Sequence, residues 1–130
     1  MIVVDSSVWI DYFNGKATRQ TDLLNSLLGR EPVVIGDLML AEVLQGFRDD
    51  ADFHRAKSLL DRLVFRPMLG KELAIKSAEN YRYLRRKGVT VAKTIDVMIA
   101  TFCVWSDLPL LHSDRDFQPM EKHLGLQVVV

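Results

Sequence analysis

A single cysteine, Cys103, excludes an intrachain disulfide and a cysteine-ligated zinc site. Its place in the apolar run Ile99 to Trp105 makes it a small buried side chain. Long hydrophobic runs are missing as well. No segment approaches the roughly 20 apolar residues that span a bilayer, and the first apolar run is broken early by Asp5, unlike a secretion signal. A cytoplasmic location without membrane contact is therefore expected. Net charge is absent too, because 17 basic and 17 acidic residues cancel. That removes the global positive field that announces many nucleic-acid binders. A sum, however, hides a local basic track offset by a local acidic cluster. Repeats, low-complexity stretches and obvious linkers are lacking, and 130 residues suit one domain, so residues 1–130 are expected to fold as a single unit.

What is present is a globular composition, 48% hydrophobic and 26% charged, with none of the apolar poverty of a disordered chain. Ile2 to Val4 is a β-branched run ending at Asp5. Ser6 and Ser7 follow as capping candidates, then the helical set Val8, Trp9, Ile10, Tyr12 and Phe13. Helical spacing recurs over Thr18 to Leu28, stopped by Gly29, and a strand is expected at Val33 to Ile35. Asp37 is placed to cap a helix from Leu38 to Phe47 that contains Glu42. Asp52 to Leu63 continues as helix, Val64 to Pro67 reads as a short strand, and Lys71 to Lys87 as a longer helix closed by Gly88. Thr94 is the expected cap of a helix running to Trp105, apolar nearly all round and therefore central. Leu110 and Leu111 form another strand, Asp114 to His123 a polar helix or turn, and Gln127 to Val130 a last strand. Strands alternating with helices predict an α/β fold with a mostly parallel sheet, in which ligand sites form at the carboxyl ends of the strands.

Asp5 and Asp114 occupy such ends. Taken singly, each acidic candidate has a plain explanation. Asp5 suits a helix cap, Asp96 suits the first turn of a helix dipole, Asp114 and Asp116 suit an acidic turn, and Glu42 suits a solvated helix face despite apolar neighbours. Gathered at one end of a sheet, they would raise one another's pKa unless a cation neutralised them. Oxygen-only ligands favour Mg²⁺, or Mn²⁺ in its place, and such a centre suits phosphodiester hydrolysis by an activated water. Ser6 and Ser113 are the hydroxyls placed to support these carboxylates. Arg82, Arg85, Arg86 and Lys93 offer a basic edge to an RNA backbone, with Tyr81 and Tyr83 nearby for stacking. Trp9, Tyr12 and Phe13 share a helical face that serves either the core or a partner groove. His54, His112 and His123 form no paired-histidine nuclease site, though His112 lies close to Asp114.

Four segments, IVVDSSVWIDYF (Ile2 to Phe13), AEVLQGF (Ala41 to Phe47), TIDVMIA (Thr94 to Ala100) and LLHSDRDF (Leu110 to Phe117), together resemble the PIN-domain nucleases and, within them, the VapC toxins of toxin–antitoxin pairs. The resemblance implies a three-layer α/β/α domain, magnesium-dependent endoribonuclease activity, inhibition by a VapB-type antitoxin, and a homodimer. Asp5, Glu42, Asp96 and Asp114 match the family's acidic quartet and Asp116 a further acidic position. Ser6 stands where many relatives carry threonine. Two alternatives stay open within the resemblance: a catalytically silent PIN-fold binding module, and a PIN nuclease of RNA processing or DNA. A phosphatase of the haloacid dehalogenase kind would want an acid at Ser7, and a response-regulator receiver an acid beside Asp5, where Val4 and Ser6 stand.

Overall fold

The computed structural model describes residues 1–129. β1 (Ile2–Val4) leads directly into α1 (Ser6–Phe13), followed by α2 (Arg19–Leu27), β2 (Val33–Gly36), α3 (Asp37–Leu44), α4 (Asp50–Leu60) and β3 (Val64–Arg66). The longest helices, α5 (Gly70–Arg86) and α6 (Thr94–Ser106), come next. They are followed by β4 (Leu110–Leu111), a 3-10 turn (Arg115–Phe117), α7 (Gln118–Leu124) and β5 (Val128–Val129). The last strand is thus described to Val129, and Val130 lies outside the described residues.

The strands form one sheet in the order β3-β2-β1-β4-β5, with every pairing parallel. Parallel strands covered on both faces must be apolar throughout, and Val3, Val4, Val34, Leu110 and Leu111 are fully buried. One group of helices forms around α1, which packs on α2 and α3, with α3 also against α4. A second group forms around α6, which packs on α5 and α7. The result is the three-layer α/β/α arrangement with a central parallel sheet. From β1 the chain winds outward through β2 to β3, then returns through α5 and α6 to place β4 on the other side of β1. The order reverses between β1 and β4, the switch point where α/β sheets open a crevice.

Local differences from the sequence reading have identifiable causes. Asp5 itself caps α1, with extended backbone and its carboxylate accepting the Ser7 N–H, so Ser6 and Ser7 lie inside the helix. Gly36 is the N-cap of α3, because the Asp37 carboxylate is engaged by the backbone N–H groups of Leu38 and Met68, tying the start of α3 to the segment after β3. A Cβ at Gly36 would overlap the Met68 thioether, so the close approach requires glycine. Lys93, not Thr94, is the N-cap of α6 and makes no side-chain capping bond. α3 ends at Leu44, and Phe47 turns back so that its ring meets Phe13 edge-on at 5.6 Å. α6 is central as expected, with Val97, Ile99, Ala100, Phe102 and Cys103 buried, but its last turn exposes Val104 and Trp105, the latter beneath the Lys76 ammonium.

Candidate functional site

The switch point gathers the acidic residues. Asp5 follows β1, and its backbone N–H donates to the Leu111 carbonyl at 2.9 Å, holding the end of β1 against β4. Its side chain is buried, and Oδ2 accepts both the Ser7 N–H (3.0 Å) and the Ser7 hydroxyl (2.6 Å). Burial pushes the Asp5 carboxyl above its ordinary range, and the bonds from Ser7 oppose that shift. The Ser7 Oγ in turn accepts the Ser113 N–H at 3.0 Å, so one hydroxyl fastens the first carboxylate to the loop after β4.

Glu42 reaches the same region from α3, where its Oε1 accepts the Ser6 hydroxyl at 3.0 Å. Burial raises its pKa, the bond from Ser6 opposes this, and the nearby Asp5 charge adds to it. Asp96 sits in the first turn of α6 and is only 4% exposed. Its Oδ2 is buried and has no hydrogen-bond partner; the nearest cation, the Lys93 ammonium, stands 3.6 Å away. The Asp96 carboxyl is lifted from 3.8 to about 7, chiefly by burial, with Lys93 opposing the shift and the charges of Asp5, Asp114 and Glu42 adding to it.

Asp114, beyond β4, is held from three directions. Its Oδ2 accepts the Lys93 ammonium at 2.8 Å, its Oδ1 accepts the Asp116 N–H at 2.9 Å, and its own N–H donates to His112 Nδ1 at 3.1 Å. Burial raises the Asp114 carboxyl, but the Lys93 and Asp116 bonds outweigh it and hold the group below its usual range. The Lys93 ammonium is correspondingly held above its ordinary value by the bond to Asp114. Because His112 Nδ1 accepts, the ring proton belongs on Nε2, which faces Glu121 Oε2 at 3.3 Å. Asp96, Asp114 and Asp116 present carboxylate oxygens that all lie within 4.8 Å of one another.

These donors fit a hard divalent cation. They are oxygens only, and both nitrogens of the neighbouring His112 are engaged. The buried, unpartnered Asp96 Oδ2 is the sharpest sign, since such a group left unpaired costs about 1–3 kcal/mol.

The sequence candidates are not all brought together. Asp5, Glu42, Asp96, Asp114 and Asp116 share one region with Ser6, whereas Ser113 contributes its backbone N–H. Lys93 is drawn into the acidic cluster. Arg82, Arg85 and Arg86 remain exposed on α5, with no ion pair to the cluster and with Arg85 placed over the Tyr81 ring. Ser7, read from sequence only as a cap, is the hydroxyl that links two segments of the site; its position two residues after a strand-terminal aspartate is the signal that could have marked it. Two clefts flank the cluster. One, of 410 Å³, runs from Asp116 along Arg115, Met120, Lys122 and His123; the other, of 390 Å³, runs from Asp114 past Lys16 and Gln20.

The family model of the PIN domain matches residues 2–122. The VapC ribonuclease Mb1587 of Mycobacterium bovis is 30% identical over 132 aligned residues, covering 98% of this chain and 96% of that protein. Among solved structures, VapBC2 of Rickettsia felis bound to a DNA fragment from its promoter superposes with a TM-score of 0.78 at 16% identity, covering 99% of this chain and 98% of the other. A toxin–antitoxin complex from Klebsiella pneumoniae gives 0.74 at 18% identity, covering 100% and 97%. At those identities the two structures establish the fold. Among the described residues, no helix is long and apolar enough to cross a membrane.

Proposed function

The chain belongs to the PIN domain family, and on that premise we propose that it is a magnesium-dependent endoribonuclease acting as the toxin of a toxin–antitoxin pair. The observation that carries the metal-dependent reading is the gathering of five carboxylates at the β1/β4 switch point around a buried, unpartnered oxygen of Asp96. The ribonuclease reading is supported by the named activity of the Mycobacterium bovis relative, and the toxin reading by the toxin–antitoxin complex that shares the fold.

Asp96 would anchor the ion through its unpartnered Oδ2, within the cluster that Asp5, Glu42, Asp114 and Asp116 complete. Mg²⁺ is the proposed ion, with Mn²⁺ able to substitute. When bound, it supplies neutralisation of the scissile phosphate and acidification of the attacking water. The protein's own part is to keep the carboxylates aimed. Ser7 fixes Asp5 and pins the Ser113 backbone, Ser6 orients Glu42, and His112 holds the backbone of Asp114. Burial disfavours the charged form of Asp96, and a bound cation would relieve that penalty, so uptake of the ion is coupled to release of a proton from this group.

Lys16, Arg115 and Lys122 in the flanking clefts give the RNA backbone cationic contacts beside the acidic cluster, and the exposed Arg82, Arg85 and Arg86 extend them. These local tracks explain how a chain of zero net charge binds a polyanion. An antitoxin of the VapB type would cover the domain, which acts in the cytoplasm as a homodimer.

The test is cleavage of a panel of structured and unstructured RNAs with Mg²⁺, with Mn²⁺ and with chelator, beside Asp5→Asn and Asp96→Asn. Metal-dependent cutting that both variants abolish is the expected result. No cutting of any RNA, together with no metal uptake by calorimetry, overturns the nuclease reading in favour of a silent binding module.

A further inference from the structure

Lys93 is half exposed, at 50% of its side-chain surface, so burial does not fix its position. Its ammonium nevertheless stands among three carboxylates: Asp114 Oδ2 at 2.8 Å, Asp96 Oδ2 at 3.6 Å and Asp116 Oδ2 at 3.9 Å. These are the same three residues whose oxygens are close enough to share an ion. A magnesium ion needs carboxylate oxygens at about 2.0–2.1 Å. An ion drawn to Asp114 Oδ2 and Asp116 Oδ2 would therefore have to compete with the Lys93 ammonium, which stands against the first and within 3.9 Å of the second. At 3.6 Å the same ammonium offsets the charge of Asp96 without making a hydrogen bond, leaving the buried Oδ2 of Asp96 open to an ion. Backbone geometry helps to hold it there, because Lys93 is the extended N-cap of α6, three residues before Asp96 on the same chain.

We infer that Lys93 is the resident second cation of the acidic cluster: it holds the Asp114–Asp116 position, so the chain takes up one divalent ion, centred on Asp96, where a bare cluster would take two. The inference rests on the metal-dependent reading above and deepens it. Lys93 acts here as a positioning residue, fixing where the ion sits and how many the cluster accepts. A permanently tethered cation also answers the charge density of the site, since five carboxylates near one another without it would repel strongly.

The experiment is titration of the full chain with Mn²⁺ alone, with the number of bound ions read by calorimetry and by the paramagnetic signal of free Mn²⁺, for wild type, Lys93→Met and Lys93→Arg. Wild type and Lys93→Arg are expected to bind one ion per chain and Lys93→Met two, the first of them about tenfold tighter. Because Lys93 projects from the surface, circular dichroism of both variants should match wild type. Two ions in wild type, or a single ion in Lys93→Met whatever its affinity, overturns the inference while leaving a metal enzyme standing. No ion in wild type overturns the metal reading itself and this inference with it.

Discussion

Asp96 is the residue at which structure and chemistry are most tightly bound. A carboxylate 4% exposed, with one oxygen lacking a partner, is costly for a metal-free protein and useful only if something cationic arrives. Ser7 is its quieter counterpart: a single hydroxyl that donates to Asp5 and accepts from the Ser113 backbone. Ser7→Ala is expected to lower RNA cleavage about 10–100-fold, the usual effect of removing a group that orients a ligand. Ser113→Ala should stay near wild type, because that position enters the network through its backbone N–H. Parallel initial-rate measurements check both, and an equal loss in the two variants would place the Ser113 side chain in the site instead.

At the scale of elements, the site depends on α1, α3 and α6 keeping their angles to the sheet. α1 does this through Trp9, which is fully buried, stacks on Phe13 with centroids 5.8 Å apart and meets Tyr12 edge-on at 5.9 Å. Phe13 passes the packing on to Phe47 after α3, so the helix that carries Ser6 and Ser7 is braced against the helix that carries Glu42. Trp9→Ala is expected to cost about 3–5 kcal/mol, read from the shift of a denaturant-unfolding midpoint. If the cost is below about 1 kcal/mol, the aromatic brace is not what fixes α1. The exposed end of α6 at Trp105 contrasts with this: its ring lies on the surface beneath Lys76, away from the core that sets the site.

At the scale of the molecule, the cluster makes stability depend on pH in a direction opposite to that of most proteins. In the metal-free chain Asp96 titrates at about 7 when folded, against 3.8 when its burial is lost. Between those values the folded state binds more protons than the unfolded one, so stability falls as pH rises through that window, by on the order of 4 kcal/mol from this group alone. Asp5 and Glu42, also raised by burial, act in the same sense. Asp114, held low, contributes stability that is lost only as pH falls below its usual range. Thermal unfolding in chelator is therefore expected to show a higher Tm at pH 5 than at pH 8. Asp96→Asn should flatten that slope, and saturating Mn²⁺ should restore Tm at pH 8, by about 2.7 kcal/mol when present at a hundred times its Kd. A slope unchanged in Asp96→Asn would show that Asp96 is not its source.

The sequence by itself determined the alternation of strands and helices, because β-branched runs and helical apolar spacing are local patterns that burial on a covered sheet demands. It also marked Asp5, Asp96, Asp114 and Asp116, each at a strand end, helix start or turn where a carboxylate is locally favoured, and Glu42 as an acid set among apolar neighbours inside a helix. Only the tertiary structure decided that these residues, far apart in the chain, meet at one switch point, since strand order follows from crossover connections that no local pattern encodes. It alone gave Ser7 two partners, one of them 106 residues away, and turned Lys93 from a surface cation near the end of α5 into part of the acidic cluster. A side chain's neighbours across the chain set its charge, its bonds and its exposure, and they exist only once the sheet has closed the distance between them.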